Sequence, residues 1–164
     1  MKKILLTLSV AIISLFSACS DKPIFDEKHN FANTTWMRFD AEVFDVNIKN
    51  TNDCYDLYFS VTIDTNVLKL NNIPLVISID DEEGGRRVFM SDIILRDKEG
   101  KSHGNAIGNY VEFKTKVREY FYFNSKGLHK FSVKNGTHLY ELKGIASIGL
   151  KIEKSNMDIN IENF

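Results

Sequence analysis

Apolar and polar side chains alternate over several segments after residue 36. Phe44, Val46 and Ile48 are separated by Asp45 and Asn47, a period of two that is typical of a strand with one buried face. The same alternation marks residues 55–63, 75–79, 87–95, 129–133 and 145–153. Helical periodicity is almost absent, although residues 139–143 also fit one helical turn. Short strands at regular spacing predict an all-β fold, a single antiparallel β-sandwich of about eight strands.

Residues 110–123 form the longest alternating segment of the chain. As one strand it would extend about 46 Å at ~3.3 Å per residue, which is well beyond the usual length of a strand. We therefore expect a bend or a break near Arg118. The preceding residues 97–109 are polar and contain three glycines, so they predict a long loop.

The first 18 residues have the pattern of a secretory leader. Two lysines precede the uncharged segment 4–16, and small residues stand directly before Cys19. The uncharged segment is shorter than the roughly 20 apolar residues that a membrane-spanning helix needs. Residues 16–19 resemble the lipobox of bacterial lipoproteins, with Phe16 where Leu is usual. We expect lipidation at Cys19, which would anchor the protein to a membrane, and ordinary signal cleavage is the alternative.

The residue after the cysteine bears on the location of the protein. Ser20 stands where, in the sorting rule of some bacteria, an Asp retains a lipoprotein in the inner membrane. Its identity favours the outer membrane. Asp21 followed by Lys22 is a weak acidic signal for display on the cell surface, so the periplasmic face is favoured. Residues 20–35 are mostly polar and predict a tether of at most about 50 Å. The expected organisation is a leader at residues 1–18, a lipidated tether at 19–35 and a sandwich domain at 36–164.

Charge and cysteine content narrow the possibilities. With two of the 21 basic residues in the leader, 19 remain against 22 acidic ones, a net charge of −3. This balance does not favour nucleic acid, whose partners usually carry a clustered basic excess. Once Cys19 carries lipid, Cys54 has no intramolecular disulfide partner. We expect a partly buried, inert thiol there, and a fold held by its apolar core.

The inventory of catalytic and metal-binding residues is small. His29, His103, His129 and His138 are not at metal-ligand spacing, and no cysteine accompanies them. Residues 80–83 are adjacent acids in a turn, which favours a solvated hairpin tip over a calcium loop. No serine elbow or cysteine–histidine pairing is present. We therefore expect a protein that is not an enzyme, with no catalytic residue, no metal and no cofactor.

One strand face could recognise a partner or ligand. Tyrosine and arginine are enriched at recognition surfaces, and one parity of the segment 110–123 would present several of them together. This candidate surface consists of Tyr110, Lys114, Lys116, Arg118, Tyr120 and Tyr122. The alternative is an ordinary exposed face, or tyrosine rings packed under a neighbouring loop.

Taken in order, these features resemble the gliding motility lipoprotein GldH family. The resemblance is carried by Cys19, Trp36, the strands at 44–48 and 55–63, residues 92–97, Gly100-Lys101, Gly104, Ile107-Gly108, the strand to Phe123, Lys126-Gly127, Phe131 and residues 148–154. It implies an anchored, non-enzymatic component of the cell-surface gliding machinery and offers no catalytic residues. Two hypotheses stay open, a structural or assembly lipoprotein with other envelope proteins as partners, and a glycan- or ligand-binding sandwich.

Overall fold

The computed structural model describes residues 22–156, and it is built almost entirely of strands. The predicted leader and Cys19 lie outside the described residues. The strands are β1 (Phe25–Asn30), β2 (Thr35–Met37), β3 (Glu42–Ile48), β4 (Tyr55–Ile63), β5 (Asn72–Asp81), β6 (Arg86–Ile94), β7 (Asn105–Ile107), β8 (Tyr110–Phe121), β9 (Gly127–Asn135), β10 (Glu141–Lys143) and β11 (Ile145–Lys154). A single 3-10 turn, Ala32–Thr34, joins β1 to β2. No helix in this part of the chain is long and apolar enough to cross a membrane.

Two larger antiparallel sheets enclose one core. The five-stranded sheet has the order β1-β11-β4-β8-β7, and the four-stranded sheet has the order β3-β9-β5-β6. Inward residues of both sheets are buried; the largest completely buried side chains include Trp36, Phe44, Phe59 and Phe131. Strands β2 and β10 form a third, two-stranded sheet. The predicted all-β antiparallel sandwich is confirmed.

The expected irregularity near Arg118 is present. Pairing of β8 with β4 shifts twice, because Tyr55 pairs with Phe121, Leu57 with Arg118 and Tyr58 with Lys116. Each shift leaves an extra residue on β8, which is the signature of a β-bulge. One bulge reverses the inward and outward parity of the residues that follow it. The strand face predicted from the sequence is therefore interrupted.

Three short segments differ from the sequence prediction. Residues 25–30, expected in the tether, form an edge strand, because Phe25 packs on the core and the backbone pairs with β11. Residues 105–107, expected in a loop, form β7 and pair with the start of β8. Residues 141–143, which also fitted a helical turn, form β10 because Leu142 is buried opposite Trp36.

The sandwich has two distinct ends. The N-terminal end carries the start of β1, the β3–β4 loop, the β5–β6 and β8–β9 turns and the end of β11, as the pairs Phe25 with Ile152 and Ile48 with Gly127 show. The β2–β10 end carries the small sheet and the β4–β5 and β6–β7 loops. Since β11 has 10 residues, about 33 Å of sheet separates the two ends.

Candidate partner-binding surfaces

The six residues of the predicted surface do not lie together. Tyr110 pairs with Ile107 at the β2–β10 end, whereas Tyr120 and Tyr122 lie at the N-terminal end. Lys114 and Lys116 lie between them on the outer face of the five-stranded sheet, opposite Ser60 and Tyr58 respectively. Arg118 lies at the bulge. Because β8 runs the full length of the sandwich, one alternating segment was spread over three different surfaces.

Lys114 and Lys116 belong to a charged cluster around Tyr58. Their ammonium nitrogens lie 4.5 and 5.5 Å from the centre of the Tyr58 ring, and that of Lys151 lies 5.9 Å away. Cations over an aromatic face are attracted by its quadrupole. Burial, followed by a hydrogen bond with Glu153, raises the pKa of Tyr58. The ring of Tyr58 is thus covered by this chain's own side chains.

Lys116 is held by carboxylates. Its Nζ lies 2.7 Å from Asp56 Oδ2 and 2.8 Å from Glu119 Oε1. The hydrogen bond with Asp56, followed by that with Glu119, raises the pKa of Lys116. Asp56 also accepts hydrogen bonds from the Ser155 hydroxyl and, at 3.2 Å, from the Tyr120 N–H. Lys116 and Asp56 therefore fix the β8 bulge to the end of β11.

Lys114 lines a shallow depression on the same outer face. The depression has a volume of about 220 Å³ and is floored by Ser60 and Gly149. Its walls are mostly charged: Asp26, Glu27, Lys28, Glu112, Lys114 and Lys151, with Tyr58 beside them. Burial, followed by the proximity of Lys151, lowers the pKa of Lys114. A recess of this size with mixed charge suits a small polar ligand more than an apolar one.

Arg118 faces the neighbouring sheet. Its guanidinium carbon lies 4.0 Å from the centre of the Phe89 ring on β6, and its Nη1 donates to the Val117 carbonyl at 3.0 Å. Arg87 makes a similar contact with Phe121 at 4.8 Å and donates to the Tyr122 carbonyl at 2.6 Å. These arginines connect the open edges of the two sheets, so Arg118 stabilises the sandwich.

Tyr120 and Tyr122 are the exposed aromatic members of the predicted set, each with 46% of its surface accessible. Tyr120 has a φ of 50°, a left-handed conformation that costs a non-glycine residue energy. A hydrogen bond with Cys54 raises the pKa of Tyr122. Cys54 is a free thiol and is buried, and the sequence predicted a thiol that is at least partly buried.

The sequence did not indicate the most exposed aromatic pair. Phe39 and Tyr140 are 67% and 62% exposed at the β2–β10 end, and their ring centres lie 6.1 Å apart. Arg38 lies over Phe39 at 5.6 Å, and its N–H donates to the Tyr140 carbonyl at 2.9 Å. Trp36 is buried beneath, with its Nε1 donating to Asp40 O at 3.1 Å. We call Arg38, Phe39 and Tyr140 the aromatic patch.

A second group of exposed apolar side chains lies on β6. Val88, Met90 and Ile94 point outward from the four-stranded sheet, and the first two are 61% and 65% exposed. Their neighbours across the sheet include Ser78, opposite Val88, and Val76, opposite Met90. This face is aliphatic, in contrast to the aromatic patch.

The histidines have separate surroundings. His29 Nδ1 lies 2.9 Å from Glu42 Oε2, and its Nε2 lies 3.1 Å from Glu27 Oε1. His129 is buried against Phe123, as a core-parity position predicted. Among residues 22–156, no three His, Cys, Asp or Glu side chains are grouped so that they could hold a metal ion.

The sequence of this chain is similar to those of known lipoproteins. The model of the GldH lipoprotein family matches residues 23–152. This chain belongs to the GldH lipoprotein family. A gliding motility lipoprotein GldH homolog from Christiangramia forsetii (strain DSM 17595 / CGMCC 1.15422 / KT0803) is 28% identical over 154 residues, covering 88% of this chain and 91% of that protein. The family resemblance predicted from the sequence is confirmed, and the matched region includes β1.

Proposed function

We propose that this protein is an outer-membrane-anchored lipoprotein and a non-catalytic structural or assembly subunit of an envelope complex. Membership of the GldH lipoprotein family supports the lipoprotein assignment, and the name of the Christiangramia forsetii relative connects that protein with gliding motility. The observation that carries the binding role is the aromatic patch, because two exposed rings in contact with each other and with an arginine form a contiguous patch of the kind that marks binding sites.

The anchor is the lipid on Cys19. Each buried methylene adds about 0.8 kcal/mol of membrane affinity, so several acyl chains hold a protein essentially permanently. We expect the Cys19→Ala variant to move from the membrane fraction to the soluble fraction, with wild type as the control. Persistence of the variant in the membrane fraction contradicts anchoring through Cys19.

Its location is the periplasmic face of the outer membrane: Ser20 favours the outer membrane, and the weak acidic signal of Asp21-Lys22 favours the periplasmic face. Density separation of inner and outer membranes should place the protein with the outer membrane. Protease added to intact cells should leave it uncut, and protease added after outer-membrane permeabilisation should cut it. Cleavage in intact cells contradicts the periplasmic orientation.

The partner surface is the aromatic patch. Aromatic and arginine side chains dominate binding energy at protein interfaces, and the aromatic patch brings both types into one contact group. The patch requires no movement of the core to become accessible. Other envelope proteins are the partners that its chemistry and the proposed location favour.

A pull-down from detergent-solubilised membranes tests this surface. Phe39→Ser with Tyr140→Ser should lose the envelope proteins that wild type recovers. The matched control is Val88→Ser with Met90→Ser, which removes two equally exposed apolar side chains from β6 and should retain them. Loss in the control with retention in the aromatic variant contradicts the assignment of this surface.

The alternative function is glycan or ligand binding, and the depression over Ser60 and Gly149 favours it. Polar walls and a volume of about 220 Å³ suit one sugar ring. Saturable sugar binding that Lys114→Ala abolishes would support this alternative. Contacts of Tyr58 with Lys114 favour the assembly role, because a covered ring is less available for stacking on a sugar.

A further inference from the structure

The chain enters the sandwich very soon after the proposed lipid-bearing residue. Four residues lie between Cys19 and Ile24, so the two Cα atoms are five steps apart and at most about 18 Å from each other when the chain is fully extended. Ile24 is already part of the fold, since its N–H donates to the Ile152 carbonyl at 2.8 Å. The tether predicted from the sequence, residues 19–35, would have reached much further. The inference below rests on the proposed anchoring through Cys19.

This short connection restricts which part of the domain can reach the bilayer. The sandwich is about 33 Å long, nearly twice the reach of the connection. Ile24 lies at the N-terminal end, beside the end of β11. An upright domain therefore holds this end near the headgroups and the β2–β10 end far from them.

The side chains at the N-terminal end match a membrane surface. Ile24 is 44% exposed and lines a recess of about 270 Å³ with Lys49, Lys154 and Asp53. Asp53 Oδ1 lies 2.8 Å from Lys154 Nζ, so Lys49 is the lysine that the recess offers to a phosphate. Tyr120 and Tyr122 are exposed at the same end. Tyrosine is favoured at membrane interfaces because its ring is apolar and its hydroxyl is polar, and lysine is attracted to lipid phosphates.

Several acidic side chains on the five-stranded side of this end are paired with lysines, Asp56 and Glu119 with Lys116 and Glu153 with Lys151, and Asp53 of the β3–β4 loop is paired with Lys154. A run of three acidic residues lies on the other sheet. The β5–β6 turn carries Asp81, Glu82 and Glu83, and Asp81 Oδ1 accepts N–H groups of Glu83 and Gly85 at 3.0 and 2.7 Å. Anionic headgroups would repel this turn. The side of the end that belongs to the five-stranded sheet is therefore the side that faces lipid.

We propose that Ile24, Tyr120 and Tyr122, with Lys49 beside them, rest on the lipid headgroups of the membrane that holds the anchor. The tyrosines predicted as a partner surface are thus a membrane-contact surface. The aromatic patch, at the other end, is held away from the bilayer and faces proteins in the surrounding compartment.

Headgroup quenching of site-specific labels tests the orientation. The full lipidated chain is reconstituted in phospholipid vesicles that carry a headgroup quencher, with a fluorophore on Asn52→Cys beside the Ile24 recess, Met90→Cys on the four-stranded sheet or Leu139→Cys at the β2–β10 end. All three positions are exposed. The parent chain, whose remaining thiol Cys54 is buried, measures background labelling.

We expect quenching several-fold stronger at position 52 than at position 139, with position 90 between them. Tyr120→Ser with Tyr122→Ser should weaken quenching at position 52, and Phe39→Ser with Tyr140→Ser should not. Equal or stronger quenching at position 90 or 139 overturns the orientation, and so does the absence of quenching from protein that floats with the vesicles. Protein that does not float with the vesicles overturns the anchor as well, and flotation is scored separately.

Discussion

The two ends of this sandwich are built from the same kind of strand yet present different surfaces. At the N-terminal end, tyrosine hydroxyls and lysines surround the point where the chain enters the fold. At the β2–β10 end, an extra two-stranded sheet lifts Phe39 and Tyr140 into solvent over a buried Trp36. Since one continuous core joins both ends, the connections between strands determine what each end can bind.

The largest effect is expected from Trp36 at the β2–β10 end. Trp36 is completely buried, lies 5.2 Å from the Phe31 ring centre and pairs through its backbone with Leu142. Trp36→Ala should lower the free energy of unfolding by about 3–5 kcal/mol, because it leaves a cavity and removes the support of the small sheet. Urea denaturation measures the loss, and a change below about 1 kcal/mol would contradict the role of Trp36 as the support of this end.

Two glycines with nearly the same φ lie at opposite ends, so replacing each with alanine compares how tightly the two ends are packed. Gly84 at the N-terminal end has a φ of 87° with no atom within 4 Å of an added Cβ, whereas Gly144 has a φ of 88° and its Cβ would lie 3.0 Å from Val67. Gly84→Ala should cost only the left-handed strain, about 1 kcal/mol. Gly144→Ala should cost about 2–3 kcal/mol, because crowding is added. Equal losses in urea denaturation would show that the β2–β10 end relaxes around the added methyl group.

Asp56 should make the N-terminal end sensitive to acid. Burial alone would raise its pKa, but hydrogen bonds from Lys116, Ser155 and the Tyr120 N–H outweigh burial and lower it. The contribution of ionised Asp56 to the free energy of unfolding is complete above its pKa in the unfolded chain, near 3.9. It is lost as the pH falls through the lower pKa of the folded state.

Asp56→Asn should cost about 1–2 kcal/mol at neutral pH, because the charge opposite Lys116 is removed. The free energy of unfolding of the variant should fall less than that of wild type below about pH 4. If the free energies of unfolding of wild type and variant change in parallel with pH, Asp56 binds its proton equally well in the folded and unfolded states.

His29, which lies near the β2–β10 end, should give the free energy of unfolding a pH dependence of the opposite sign. Burial alone would lower its pKa, but hydrogen bonds with Glu42 and Glu27 outweigh burial and raise it above 6.5. The contribution of protonated His29 to the free energy of unfolding is complete below its pKa in the unfolded chain, near 6.5. It is lost as the pH rises through the higher pKa of the folded state. His29→Gln should remove this dependence, with a loss of about 1 kcal/mol or less at pH 6. An unchanged slope between pH 6 and 8 would exclude His29 as its source.

Sequence patterns predicted the central strands well and the surfaces poorly. Strands β4 and β11 were evident because their inward residues are apolar in strict alternation. Strand β1 was missed because its inward positions are Phe25, Glu27 and His29, a set with one large apolar side chain. An edge strand is held by pairing with one neighbouring strand and needs fewer buried apolar side chains. Its alternation of apolar and polar residues is therefore weak.

The six residues of the predicted surface lie apart for a different reason. Parity assigned them to one face of residues 110–123 although a break near Arg118 was expected, and the bulges of β8 turn Arg118 toward Phe89. Phe39 and Tyr140 belong to separate loops that only the pairing of β2 with β10 brings together. Long-range pairings of this kind leave no local signal in a sequence.

The two-ended arrangement is tested most directly by photo-crosslinking in native membranes. A photoreactive amino acid is placed at Phe39 in one variant and at Tyr122 in the other, with Cys19 unchanged in both, and the adducts are resolved by mass spectrometry. We expect protein adducts from position 39 and phospholipid adducts from position 122. Phospholipid adducts from position 39 together with protein adducts from position 122 would contradict the account.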